Sequence, residues 1–449
     1  MRELFGTDGI RGKANTYPIT PEIALQVGKA IAHVFKAEGH GSAKAVIGKD
    51  TRLSGYMIET ALTSGIVSMG MDVFLVGPMP TPAVAHLTKS MCASCGIMIT
   101  ASHNPSDDNG IKIFSSDGFK LPDDIELDIE THVLGGEITS AHISTHLLGK
   151  AYRIEDARGR YIEFAKSSIK NQSLKGLKIV LDCANGAAYF LAPLIFRELG
   201  ATVYPIAINP DGFNINEKCG ATYTDTMKSE VLKTKADIGI ALDGDADRVI
   251  FCDSKGNIIN GDRIIGLCAL DFARKKRLSK NTVVITTMSN LGLSDALKKN
   301  GINVEVTDVG DRYVIDRMRS LGLNLGGEQS GHLIFMDYAT TGDGIISSLH
   351  VLNLMASTGK SLTELADFMT EYPQKLTNIN VKEKVPFENV PGLLDIIKKC
   401  EEDLSSEGRV IVRYSGTENK IRILIEASSE KKVNEWTEKI GNTIRKGLT

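Results

Sequence analysis

One unit occurs three times along the chain and constrains its fold more than any other feature: an apolar strand, a polar or glycine-bearing loop, an amphipathic helix, a glycine, and a second strand. The first copy runs from Ala43-Lys44-Ala45-Val46-Ile47-Gly48 through a helical stretch at 56–69 to Gly70-Met71-Asp72-Val73-Phe74-Leu75. The second runs from Leu177-Lys178-Ile179-Val180-Leu181-Asp182 through 187–199 to Gly200-Ala201-Thr202-Val203-Tyr204. The third runs from Thr282-Val283-Val284-Ile285-Thr286 through 291–300 to Gly301-Ile302-Asn303-Val304-Glu305-Val306. Each helix ends at Gly-x-x-Val, where a glycine can reverse the chain and a β-branched residue can enter the next strand. Strands joined through a helix favour parallel pairing, with the helices covering the sheet. The spacing therefore predicts three similar layered α/β domains with mainly parallel mixed sheets and functional loops at the strand ends.

After Tyr372-Pro373 the pattern changes. Arg409 to Tyr414 and Ile421 to Ala427 read as strands, and a helix from Ser429 carries Val433, Trp436, Ile440 and Ile444 at helical spacing. This predicts a C-terminal α+β domain. With no low-complexity linker to mark borders, the domains are placed at 1–155, 156–256, 257–370 and 371–449.

Lys+Arg 52 against Asp+Glu 55 gives a net charge of −3, which creates no overall field for nucleic acid or an anionic membrane, so an anion site must be local. Seven cysteines, odd in number and sparse, argue for a reducing compartment rather than a disulfide framework. No apolar run follows Met1-Arg2-Glu3, and the stretch from Val73 to Thr88 is interrupted by Pro78, Pro80 and Pro82. Neither a signal peptide nor a membrane helix is expected, and a cytoplasmic location follows. Cys92-x-x-Cys95 reads as buried thiols rather than a zinc or redox site. His33, His40, His86, His132, His142, His146 and His350 show no metal-ligand spacing.

Four loops carry chemistry. Asp243-Gly244-Asp245-Ala246-Asp247-Arg248 follows the apolar strand Ile238-Gly239-Ile240-Ala241-Leu242. Carboxylates at every second position can converge on one centre and need a cation to offset their repulsion, Mg²⁺ being the natural one; a solvated acidic turn is the plainer alternative. An EF-hand is excluded, because Arg248 stands where glycine is required and Ser254 where the bidentate glutamate belongs. Thr100-Ala101-Ser102-His103-Asn104-Pro105 follows the strand Gly96-Ile97-Met98-Ile99 and places a hydroxyl on a tight turn. Ser102 is either a turn residue or a nucleophile, the latter needing help from His103, Lys112 or Arg11. Gly326-Gly327-Glu328-Gln329-Ser330-Gly331-His332 offers an acid, an amide, a hydroxyl and an imidazole, suited to sugar hydroxyls or an amine, or else forms a surface turn. Arg413-Tyr414-Ser415-Gly416-Thr417-Glu418-Asn419 either clamps a phosphate or makes an ordinary hairpin turn. Neither it nor Gly359-Lys360-Ser361 is a nucleotide P-loop, so ATP has no support.

In this order, one per domain, the four loops resemble the α-D-phosphohexomutase family over essentially the whole chain, from Phe5-Gly6-Thr7-Asp8-Gly9-Ile10-Arg11-Gly12 to Arg413-Tyr414-Ser415-Gly416-Thr417-Glu418. The resemblance implies four domains around a central active-site cleft and interconversion of a hexose 6-phosphate and its 1-phosphate. Ala101 and Gln329 are similar to the branch that acts on glucosamine phosphates, which supplies UDP-N-acetylglucosamine and cell-wall precursors; glucose and mannose phosphates are the alternatives. By the same resemblance Ser102 is a phosphoserine, and Ser102 with Asp243, Asp245 and Asp247 holds Mg²⁺. Arg11, His103, Lys112 and His332 are implied as catalytic. Arg248, Gly310, Asp311, Glu328, Ser330, His332, Arg413, Ser415, Gly416, Thr417 and Arg422 are implied to bind substrate. A sugar 1,6-bisphosphate is implied as intermediate and activator, and a homodimer as the assembly. His103, His332 and Lys112 are candidates for the base that deprotonates the attacking hydroxyl. Tyr414 and Asn419 replace prolines of the family pattern, which is expected to loosen the phosphate loop. Two other functions compete: an Asp-based phosphatase using Asp243, disfavoured by Asp247, and a sugar-phosphate sensor without turnover.

Overall fold

The computed structural model describes residues 3–6, 8–37, 43–415 and 419–448. All three repeated units form as strand, helix and parallel strand: Lys44–Lys49, Ser54–Ser68 and Asp72–Pro78; Lys178–Asp182, Leu191–Glu198 and Thr202–Ile206; Thr282–Thr286, Leu291–Lys299 and Asn303–Thr307. Gly70, Gly200 and Gly301 take φ of +81°, +94° and +72°, the left-handed conformation that lets the helix stop and turn back.

The first sheet has the order Phe5–Gly6, Gly9–Lys13, Asp108–Ser115, Cys95–Ile99, Lys44–Lys49, Asp72–Pro78, Ala151–Arg153. The last four strands run parallel, and the N-terminal strands join antiparallel through Asp108–Ser115. This antiparallel part of the sheet carries Arg11 and Lys112 on adjacent strands. The second sheet centres on the parallel set Ile238–Leu242, Lys178–Asp182 and Thr202–Ile206, and the third on Asn303–Thr307, Thr282–Thr286 and Leu325–Gly327. The second copy's helix begins at Leu191, later than its periodicity suggests, because the preceding loop is used as a buttress: Ala187 N donates to Gly244 O at 2.8 Å.

The C-terminal sheet is wholly antiparallel, ordered Gln374–Asn380, Lys420–Ala427, Gly408–Tyr414. Helices Leu393–Leu404 and Glu430–Leu448 cover it, with Val433, Trp436, Ile440 and Ile444 in its core. By its packing the chain forms two compact units, one of residues up to 288 with 301–367, the other of 289–300 with 368–449. The helix Leu291–Lys299 therefore belongs with the C-terminal sheet. There Leu291 N donates to Glu426 Oε1 at 2.8 Å, Asn290 Nδ2 to Tyr372 O at 3.0 Å, and Tyr372 Oη to Asp295 Oδ2 at 2.8 Å.

Among the described residues, no helix is long and apolar enough to cross a membrane. The expectation of two buried thiols holds for Cys95 only. Cys95 is buried in the core that packs on the first sheet, whereas Cys92 sits exposed on the turn that ends helix Thr81–Ser90.

Candidate active site

Strand Cys95–Ile99 is buried throughout and delivers the chain into a sharp turn where Ser102 adopts φ +51°. A side chain in that region is strained and needs its surroundings to hold it. Arg52 supplies the hold. Its fully buried guanidinium bonds Asp50 Oδ2 at 2.9 Å and donates to the carbonyls of Ser102 at 3.1 Å, Asn104 at 2.8 Å and Asp108 at 3.0 Å, and to that of Pro105. Asp50 Oδ2 also accepts from Thr100 Oγ1 at 2.7 Å, and Thr100 Oγ1 accepts from Ser102 N at 2.9 Å. From the second domain, Asn216 Nδ2 donates to the carbonyls of Ser102 and Asn104 at 2.9 and 3.1 Å.

The turn aims Ser102 Oγ at Asp243, donating to its Oδ2 at 2.8 Å. Asp243, Asp245 and Asp247 lie beyond the buried strand Ile238–Leu242, and each offers an oxygen within 4.8 Å of the others. Gly244 is required here, because a Cβ would fall 2.5 Å from Ser102 O. Thr81 Oγ1 donates to Asp245 Oδ2 at 2.7 Å, and Gly344 N to Ala246 O at 3.0 Å, so the loop is braced from two sides. Burial, together with repulsion from Asp245 and Asp247, pushes the Asp243 carboxyl well above the usual carboxylate range. Asp245 Oδ1 and Asp247 Oδ1 are buried with no hydrogen-bond partner. Converging acidic oxygens that lack partners fit a hard divalent cation.

Cations ring this centre. Lys112 Nζ lies 3.0 Å from Asp245, 3.3 Å from Asp247 and 3.3 Å from Asp8. Arg11 pairs with Asp8. Arg248 donates from NH1 to His103 Nδ1 at 2.8 Å, and that nitrogen is 3.4 Å from Ser102 Oγ. Burial, with Arg248 and Arg11 nearby, holds the His103 imidazole down to about 4 and therefore neutral at physiological pH.

In the third domain, Glu328 Oε1 accepts from Gly310 N at 3.1 Å and Glu328 Oε2 from Ser330 Oγ at 3.5 Å, which brings the two predicted substrate segments together. His332 was expected to be catalytic and to contact the sugar. It is buried, with Nδ1 3.6 Å from Asp247, Nε2 3.6 Å from Asp311, and Gly342 N donating to Nε2 at 3.0 Å. Nε2 thus accepts one backbone hydrogen bond, and the ring lies between the Asp247 and Asp311 carboxylates.

In the C-terminal unit, Arg413 stands directly opposite Arg422 on neighbouring strands, and Arg422 NH2 donates to Ser415 Oγ at 3.4 Å. Gly416 and Thr417 lie outside the described residues. Ser415 N closes the loop's stem on Lys420 O at 2.8 Å. Tyr414 Oη donates to Val385 O at 2.6 Å and accepts from Val385 N at 3.1 Å. These bonds tie the end of strand Gly408–Tyr414 to Val385; the loop itself at 416–418 lies outside the described residues.

Several residues at the site escape sequence reasoning: Asp8, Arg52, Thr81, Lys120 and Asn216. Only Asp8 lies in a motif-like run, Gly6-Thr7-Asp8-Gly9, and the others stand in segments of ordinary composition.

Comparison with known proteins agrees with this geometry. Models of the phosphoglucomutase/phosphomannomutase α/β/α domains I, II and III match residues 2–138, 159–256 and 260–372, and that of the C-terminal domain matches 376–442. The chain belongs to the phosphoglucomutase/phosphomannomutase family, whose members are phosphohexomutases and hence isomerases. Full-length relatives include proteins named phosphoglucosamine mutase from Pelobacter propionicus, 52% identical, and Geobacter sp. strain M21, 53% identical, each match covering 100% of this chain and 99% of the relative. Among solved structures, a phosphoglucomutase/phosphomannomutase family protein from Burkholderia thailandensis shares the fold at TM-score 0.82 and 22% identity, covering 99% of this chain and 97% of that one. An N-acetylphosphoglucosamine mutase from Aspergillus fumigatus, solved with GlcNAc-6P and magnesium, does so at TM-score 0.66 and 20% identity, covering 100% and 96%.

Proposed function

We propose that the chain interconverts glucosamine 6-phosphate and glucosamine 1-phosphate through phospho-Ser102 and a 1,6-bisphosphate, supplying UDP-N-acetylglucosamine and cell-wall precursor synthesis. One observation carries the chemistry: Ser102 Oγ is 2.8 Å from the aspartate triad, on a turn held by a buried arginine. The choice of glucosamine is supported by the full-length relatives named phosphoglucosamine mutase.

Asp243, Asp245 and Asp247 would hold Mg²⁺, which when bound supplies charge neutralisation at the phosphoryl oxygens. Arg11, Lys112 and Arg248 surround the same centre with fixed positive charge, as a loose phosphoryl transition state requires. In the forward direction the phosphoryl group leaves Ser102 Oγ for O1 of glucosamine 6-phosphate. The bisphosphate then reorients and returns its 6-phosphoryl to Ser102. The hydroxyl's proton needs an acceptor. Three carboxylates fix Lys112 as a cation, so of the three candidates it is the least suited to be that base, while neutral His103 stands closest to Oγ. Glu328 and Ser330, with Gly310 and Asp311, would hold the sugar, and Arg413, Ser415, Gly416, Thr417 and Arg422 the phosphate that is not transferred. A cytoplasmic homodimer is the proposed setting.

An aspartyl-phosphate route through Asp243 fits less well, because that carboxyl is buried among like charges and already accepts the Ser102 hydroxyl. The test is a coupled assay with glucosamine 6-phosphate, Mg²⁺ and catalytic glucose 1,6-bisphosphate, with glucose and mannose phosphates in parallel and phosphate mapping by mass. Phosphate on Ser102 with glucosamine turnover supports the mutase. Phosphate on Asp243 overturns it in favour of a phosphatase, and binding without turnover in favour of a sensor.

A further inference from the structure

Lys120 was not expected at the site, yet its ammonium bridges two carboxylates from distant segments: Asp8 near the N-terminus, and Asp311, 2.5 Å away, at the start of helix Asp311–Leu321. Strand geometry explains how it gets there. After strand Asp108–Ser115 the chain doubles back, with Ser115 N bonded to Phe119 O at 2.8 Å, and Lys120 pairs opposite Phe114. Opposed residues share a sheet face, as do residues two apart, so Lys112, Phe114 and Lys120 project to the same side. The two lysines thus straddle Asp8, Lys112 at its Oδ2 and Lys120 at its Oδ1.

Followed onward, these contacts close on themselves. Lys120 meets Asp8, which is 3.3 Å from Lys112, which is 3.3 Å from Asp247; His332 lies 3.6 Å from Asp247 and 3.6 Å from Asp311, which returns to Lys120. This ring joins the metal loop to the third domain's substrate segment through buried or half-buried groups. Without Lys120, Asp8 would keep, among the described residues, Lys112 and Arg11 as its cations and draw Lys112 from the aspartate triad, while Asp311 would lose the partner that fixes its carboxylate.

We propose that Lys120 is a positioning residue for phosphoryl transfer, an inference that rests on the mutase activity proposed above. It holds Asp8 and Asp311 in one arrangement, so that Lys112 stands at the metal loop and the third domain's substrate segment keeps register with it. Its contribution is separable from ordinary packing, because other contacts already fasten this hairpin to the third domain. Arg312 NH2 donates to Leu121 O at 2.9 Å, Thr340 Oγ1 to Gly118 O at 2.5 Å, and the Arg319 guanidinium lies 4.0 Å from the centre of the Phe119 ring.

Lys120→Met keeps the length and removes the charge, and Lys120→Arg restores a charge able to bridge two carboxylates. The full-length protein and both variants would be compared for kcat and KM on glucosamine 6-phosphate and for amide hydrogen exchange at 8–12 and 308–314. Lys120→Met is expected to lose about 10- to 30-fold in kcat with KM within about threefold, and to speed exchange in both segments together. Lys120→Arg is expected to recover to within about threefold of the parent. A Lys120→Met kcat within about twofold of the parent, or a Lys120→Arg as slow as Lys120→Met, would overturn the proposal. Should the parent isomerise none of the hexose phosphates, the mutase assignment is what has failed. The exchange data then decide on Lys120 alone: joint acceleration of the two segments upholds the tie, and unchanged exchange refutes it.

Discussion

The serine turn and the C-terminal loop, both proposed above to serve phosphate, are built differently. At the turn every charge is answered: Arg52 sits on Asp50 and on carbonyl oxygens, Asp50 on Thr100, and Ser102 on Asp243. The result is a strained backbone held rigidly in one place. At the loop, Arg413 stands opposite Arg422 on neighbouring strands, and Arg422 NH2 donates to Ser415 Oγ at 3.4 Å, so two arginine positions and a hydroxyl come together at the stem. On the proposed function, the transferring group would be met by a closely braced turn, and the phosphate that is not transferred by a pair of arginine positions on neighbouring strands. Damage to the turn should therefore appear in kcat and damage to the loop in KM.

The hardest break is Ser102→Ala. It should lower kcat by at least ~10⁴-fold with glucosamine 6-phosphate still bound, as measured in the coupled assay beside equilibrium binding. Next is removal of the metal by chelation, or Asp243→Asn, expected to lower turnover on the order of 10³-fold with Mg²⁺ re-addition rescuing only the chelated parent. Arg52→Met tests rigidity directly. Stripping Asp50 of its buried partner should destabilise the first compact unit by about 3–5 kcal/mol in denaturant unfolding, and a cost below about 1 kcal/mol would mean the turn is not held as described. Arg413→Gln should raise KM by about tenfold while changing kcat little, since charge-assisted hydrogen bonds contribute about 1.5–3 kcal/mol. The smallest effect belongs to Tyr414→Phe, about fivefold in KM for loss of the Val385 contacts, each net hydrogen bond contributing about 1 kcal/mol. An equal fall in kcat for either loop variant would erase the distinction between the two regions.

Much of this was legible in the chain because the signals are local. An apolar strand followed at once by Ser102 or by three alternating aspartates places those groups at strand ends, and the period of the strand-helix-strand unit places the strands in layers. What stayed hidden depends on contacts between distant segments. Arg52, Asn216 and Lys120 lie 50, 114 and 191 positions from partners they bond, and nothing in their own neighbourhoods marks them. His332 was read as a catalytic and sugar-binding residue, and its place between Asp247 and Asp311 comes from tertiary packing that its motif does not show. The strand Gln374–Asn380 escaped notice because Gln-Lys-Leu-Thr-Asn-Ile-Asn is nearly all polar, with Ile379 its one buried residue. Tyr414 was weighed only for the proline it replaces, and the bonds its hydroxyl makes to Val385 are invisible without coordinates.

The helix Leu291–Lys299, third in the series of repeated helices, is anchored on Glu426 and Tyr372 and so is part of the C-terminal unit although its flanking strands are not. The peptide therefore crosses from one unit to the other at 288/289, 300/301 and 367/368. A fragment cut at the last crossing would leave the C-terminal sheet without a helix that it borrows from mid-chain, and would leave that helix without its anchors. Dissection at a single point cannot give two intact halves; a C-terminal piece made to fold alone would have to carry 289–300 grafted onto it.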